Sequence, residues 1–178
     1  MDDAAVIAAT RRWVDGFVIG LALCPFARRV SEAGRVRYVV TPAADAEAVL
    51  AALDAELTVL VATPRDEVET TVLVHPRALA DFLDYNDFLA DADRLLVRRG
   101  LRGVVQVAGF HPAYRFAGTT PDAVENFTNR SPFPMLHLLR EVSVSEVAGD
   151  HLGDIPARNI ALLRRLGRAE VRRRADGS

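Results

Sequence analysis

Three short runs rich in β-branched residues, separated by two helical stripes, constrain this chain more than anything else in it. Val36–Val40 (VRYVV) is followed by Thr41 and Pro42, Thr70–His75 (TTVLVH) by Pro76, and Val104–Phe110 (VVQVAGF) by His111 and Pro112. Runs of this kind read as strands. Between the first two, Ala46, Val49, Leu50, Leu53, Leu57, Leu60 and Val61 recur at helical spacing. Residues 43–62 therefore read as one long helix; a helix ending at Ala55 with a strand at 57–62 is the alternative. Leu79, Phe82, Leu83, Phe88, Leu89, Leu95 and Leu96 predict a second helix over 77–99, broken by Gly100 and Gly103. Strand, helix, strand, helix, strand within about 75 residues implies right-handed parallel crossovers. The expected fold is a single α/β domain over residues 1–178, with a small three-stranded parallel sheet flanked by helices. The third run is apolar apart from Gln106, which suggests a central strand.

The flanks read as helical. Val6, Ala9, Trp13, Phe17, Leu21 and Cys24 predict a helix over about 4–23, and Pro25 suits the first turn of a short helix that Gly34 ends. Residues 111–134 are irregular, with a short helix at 121–128. Leu136, Leu138 and Leu139 place a helix over 134–147, and an Arg-rich helix over about 155–174 turns Ile160, Leu163 and Leu166 inward.

Composition narrows the chemistry. All 22 side-chain cations among the 178 residues are arginine, so lysine Schiff-base chemistry is excluded and side-chain binding of anions falls to Arg. The net charge of −2 divides into −6 over residues 1–150 and +4 over 151–178. That tail reads as a solvated helix end, and no nucleic-acid module is present, so no nucleic-acid partner is expected. The single cysteine, Cys24, excludes a disulfide framework. The acidic start and the charges of Arg11, Arg12 and Asp15 argue against a signal peptide. The uncharged stretch from Gly16 to Cys24 is too short to span a bilayer. A cytoplasmic protein without membrane contacts is expected, and its oligomeric state is left open.

Candidate site residues follow from strand ends and from the irregular segment. The four histidines are His75, His111, His137 and His151. His75 and His111 end predicted strands, the edge where ligands of parallel sheets bind. His111 is the expected general acid/base, His75 its partner, and Cys24, at the start of a short helix, a nucleophile. Arg130, with Arg115, can clamp a carboxylate or phosphate, while Asn126 and Asn129 orient it. The same groups could instead hold a long loop in place. Asp84, Asn86 and Asp87 could meet Arg130 or Arg115 at the rim. His137 and Glu141 lie four apart on the predicted helix and would orient one another. His75, His111, His137 and Glu141 form a weak transition-metal alternative; HExxH and CxxC motifs are absent, and no cofactor is predicted. GxGxxG, P-loop and GxSxG signatures are also absent.

CPFA at 24–27, FLDYNDFL at 82–89, FHPAYRFAG at 110–118 and ENFTNRSPFPMLHLLRE at 125–141 resemble a bacterial family of uncharacterised proteins, domain of unknown function 1415. The resemblance covers about residues 5–148, and Phe133 stands where the family has a tyrosine. It implies that the four blocks are family motifs, consistent with one clustered site, and it carries no activity. The residues favour an enzyme using acid/base or thiol chemistry on a small anionic metabolite. A metal-dependent enzyme and a non-catalytic ligand- or peptide-binding protein are the alternatives.

Overall fold

A computed structural model describes residues 2–148 and 153–177. The three expected strands form as β1 (Val36–Val40), β2 (Thr70–Val74) and β3 (Val105–Phe110). The helices between them are α3 (Ala46–Ala62) and α4 (Phe82–Arg98), so residues 43–62 hold one helix and no strand. Asp45 caps α3 by accepting from the Ala48 N–H, and Asp81 caps α4 by accepting from those of Leu83 and Asp84.

The sheet itself differs from the expectation. It has four strands in the order β1-β2-β4-β3, because residues 134–147 contain strand β4 (Met135–Arg140) followed by helix α5 (Glu141–Ala148). β1 and β2 are parallel, and β4 runs antiparallel between β2 and β3. The sheet is therefore mixed, and β3 is an edge strand. The physical reason lies in MLHLLR: a strand buried on both faces loses its polar/apolar alternation, and a short apolar run is then ambiguous between helix and strand.

Helices cover both faces. Leu73, Leu136, Leu138 and Val105 point to one side and pack on Val49, Leu53, Leu57 and Leu60 of α3 and on Tyr85, Phe88 and Leu95 of α4. Val72, Val74 and Met135 point to the other, against Trp13, Phe17, Leu163 and Val171. That second layer comprises α1 (Asp3–Trp13), α2 (Ala27–Glu32), α6 (Ile155–Leu166) and α7 (Arg168–Ala175). The Arg-rich C-terminal helix is thus two helices, broken at Gly167 with φ +78°. His151 lies outside the described residues.

Two glycines are fixed by close approach. The predicted helix over 4–23 is α-helical only to Trp13 and then widens into a π-helical stretch, Val14–Ile19. A Cβ on Gly20, just past it, would collide with the Gly16 carbonyl oxygen, so the wide turn depends on glycine there. On β3, a Cβ at Gly109 would stand 2.7 Å from the Tyr85 hydroxyl and 3.1 Å from Leu89. Gly109→Ala should cost about 1–3 kcal/mol through overpacking. Urea unfolding checks this; an unchanged midpoint would contradict the packing described.

Candidate active site

His75 and His111 do end β2 and β3, but both turn to the α3/α4 side of the sheet, on either side of Tyr85. The His75 ring stacks on Tyr85 at 5.9 Å and His111 lies 5.0 Å from it. Both rings are buried. His111 Nδ1 accepts from the Ala113 N–H (3.0 Å), which leaves Nε2–H to donate to the Leu79 carbonyl (3.1 Å). His75 Nδ1–H donates to the Ala78 carbonyl, and its Nε2 is buried with no partner among the described residues. Burial pushes the His75 pKa down to about 4 and lowers that of His111. The two rings hold the turns after their strands, and they line none of the cavities described below.

Cys24 lies on the opposite face. It packs beside Phe26, Val30, Ala108 and Leu139, so the sheet separates it from His75 and His111. What it does share is a cavity with His137. Residues on β1, β2, β3 and β4 form the floor of an apolar cavity of about 150 Å³, roofed by Trp13, Val14, Val18, Phe26 and Val30. Cys24 and His137 both line it. A space of this volume accepts one group of about the bulk of benzene. Cys24, Val18 and Phe110 also line an adjoining, larger cavity of about 540 Å³, called the outer cavity, whose polar rim includes Glu125, Thr128, Asn129 and Asn159. The three shared residues stand between the two spaces.

The hydrogen bonds of His137 fix its tautomer. The Thr70 hydroxyl donates its only hydrogen to the Leu138 carbonyl (2.6 Å), so Thr70 Oγ1 must accept from His137 Nε2–H (2.8 Å). Nδ1 then carries the lone pair, with no protein partner among the described residues. The ring is half-buried, and its burial pushes its pKa down to about 4, so it rests neutral. Burial raises the Cys24 pKa, against the smaller opposing effects of the Phe26 and Ala27 backbone amides and the Arg158 charge. Thiol and imidazole are therefore both uncharged at rest. Trp13, in the same wall, has a buried indole N–H without an acceptor.

The remaining expected residues are dispersed. Asn126 is held within the loop: its Oδ1 accepts from the Phe116 N–H and the Thr119 hydroxyl, and its Nδ2 donates to the Thr120 carbonyl. Asn129 Nδ2 donates to the Gly109 carbonyl while the residue lines the outer cavity. Arg130 faces a separate cleft with Arg12, Arg168 and Arg172, and Arg115 is exposed. Asp84 and Asp87 share a shallow cleft with Asp91 and Arg94, away from Arg130 and Arg115. His137 and Glu141 do not form a helical pair, since one is on β4 and the other begins α5 beside Arg102 at the β3 edge. Among the described residues no group of His, Cys, Asp and Glu is gathered to hold a metal, so the set His75, His111, His137 and Glu141 is not a metal site. Among them, too, no helix is long and apolar enough to cross a membrane.

Thr70 and Trp13 in the wall of the apolar cavity, and Arg12, Arg168 and Arg172 in the basic cleft, carry no sequence signal of their own. Thr70 is 67 positions from His137, and only the β2–β4 register, with Val72 opposite His137, brings them together.

A family model described as a protein of unknown function (DUF1415) matches residues 5–173. The chain belongs to the DUF1415 family. The match runs beyond residue 148, so α6 and α7, which supply Asn159 to the outer cavity and Arg168 and Arg172 to the basic cleft, belong to the DUF1415 unit. No curated protein and no solved structure matches the chain.

Proposed function

We propose that the protein is a small-molecule enzyme working through the Cys24 thiol, with His137 as its base. The observation that carries this reading is the shared cavity: thiol and imidazole line one apolar space, where Nδ1 keeps a lone pair with no partner among the described residues. The chemistry such a pair favours is acyl transfer. Sγ forms a bond to an electrophilic carbonyl carbon as the thiol proton passes to His137 Nδ1. The leaving group departs with that proton, and water or another acceptor then releases the acyl group. The inner cavity would take a short acyl chain or one ring, with the polar end toward Asn129, Thr128 and Asn159. Resting in the neutral state suits a site that ionises only when a substrate is present and water is displaced.

The test uses p-nitrophenyl acetate, butyrate and hexanoate, followed by nitrophenolate release and intact mass. A single acyl group on Cys24 is expected, with turnover, and neither in Cys24→Ser. If these esters acylate free cysteine but never Cys24, the cavity is a non-catalytic binding pocket and the enzyme reading fails.

A further inference from the structure

We infer that the cleft between the end of α1, the segment 127–132 and α7 is a binding site for a small phosphate-bearing molecule. It is independent of the Cys24 chemistry, although Trp13 forms a wall of both spaces. Arg12, Arg130, Arg168 and Arg172 line this cleft of about 560 Å³. They come from three separate parts of the chain, and Arg168 and Arg172 are four apart on one face of α7. Val171 is fully buried and holds that helix against the body.

Arg130 is pre-positioned. Its guanidinium lies over the Phe127 ring at 4.8 Å, Nε donates to the Tyr114 carbonyl (3.2 Å) and Nη2 to the Pro121 carbonyl (2.7 Å). These partners orient the group without neutralising it, and Nη1 has no protein acceptor among the described residues. Arg12 has no carboxylate partner among them either. Arg168 pairs with Asp122 (2.5 Å) and Arg172 with Asp176 (3.7 Å). Among the described residues, four guanidinium groups thus meet two carboxylates, an excess of two positive charges. Burial first, and then the Arg168 charge and more weakly that of Arg172, lower the Arg130 pKa against the opposing charge of Asp122. Planar forks from several directions match a tetrahedral dianion better than a flat carboxylate. A concave pocket in a chain of net negative charge also favours a small ligand over an extended nucleic acid.

Pyrophosphate is the probe, titrated calorimetrically at constant ionic strength against sodium chloride. One site per chain is expected. Arg12→Gln/Arg172→Gln, at two exposed positions, should weaken it by about tenfold or more through lost charge-assisted bonds. Arg98→Gln/Arg102→Gln, equal in charge but remote, should leave it unchanged. Three results would overturn the site: no binding beyond the chloride control, equal losses in both double variants, or tighter binding of a short single-stranded oligonucleotide than of pyrophosphate.

Discussion

Acidification from pH 6.5 to about 4 should strip the protein of a large share of its stability. Burial holds His75 and His137 down at about 4, whereas the unfolded chain titrates its histidines near 6.5. Below that value the unfolded state takes up a proton on each ring that the folded state refuses. Stability is therefore full above about 6.5 and falls as the pH drops toward the folded value. At about 1.4 kcal/mol for each unit of pKa, the loss is roughly 3 kcal/mol per ring, against a typical total of about 5–15. His111 is shifted in the same direction and adds to it. The structural cause is specific: a proton on His137 Nδ1 would sit in an apolar cavity, and one on His75 Nε2 would meet no acceptor. Thermal unfolding at fixed ionic strength should show the melting temperature falling steadily across this window. A flat profile down to about pH 4.5 would contradict the burial of these rings.

Glu69→Ala should be the most damaging single change away from the apolar core. Glu69 is completely buried, and its carboxylate binds Arg29 at 2.9 Å and Arg35 and Arg65 at 3.2 Å. Arg65 in turn grips Glu146, so one carboxylate ties α2, the start of β1, the loop before β2 and α5 together. Removing it leaves three guanidinium groups facing one another. Each is partly exposed, so water offsets some of that charge, and the expected cost is about 3 kcal/mol, at the low end for a broken buried pair. For a chain of this size that is a fall of roughly 6–12 °C in melting temperature. A loss below about 1 kcal/mol would mean that the carboxylate is not the tie described.

The sequence makes some of this architecture legible and hides the rest for identifiable reasons. The stripes of α3 and α4 are visible because each helix buries one face only, and β1 and β2 because β-branched runs end at prolines. β4 is hidden because its run is apolar on both faces, and with it went the sheet order, the mixed direction and the edge position of β3. The site suffered the same loss. Cys24 is visible as a lone thiol before a short helix, but the sequence does not show that His137 shares its cavity, while His75 and His111 are conspicuous at strand ends. The choice between them and His137 depends on which face each ring takes, and in a strand that changes with every residue. Glu69, in PRDEVET, reads as a solvated loop acid, since nothing local shows that three arginines converge on it. Asn126 shows the opposite case: a loop residue rich in hydrogen-bonding groups makes its three bonds within the loop itself.

The pairing of Cys24 with His137 is tested most directly by the rate at which p-nitrophenyl butyrate acylates Cys24 in the wild-type chain and in His137→Gln. Glutamine can still donate to Thr70 but cannot take a proton. If His137 is the base, the variant keeps its cavity and its fold near neutral pH and acylates about a hundredfold more slowly, in the range for loss of a general base. Equal rates in the two proteins would contradict the pairing.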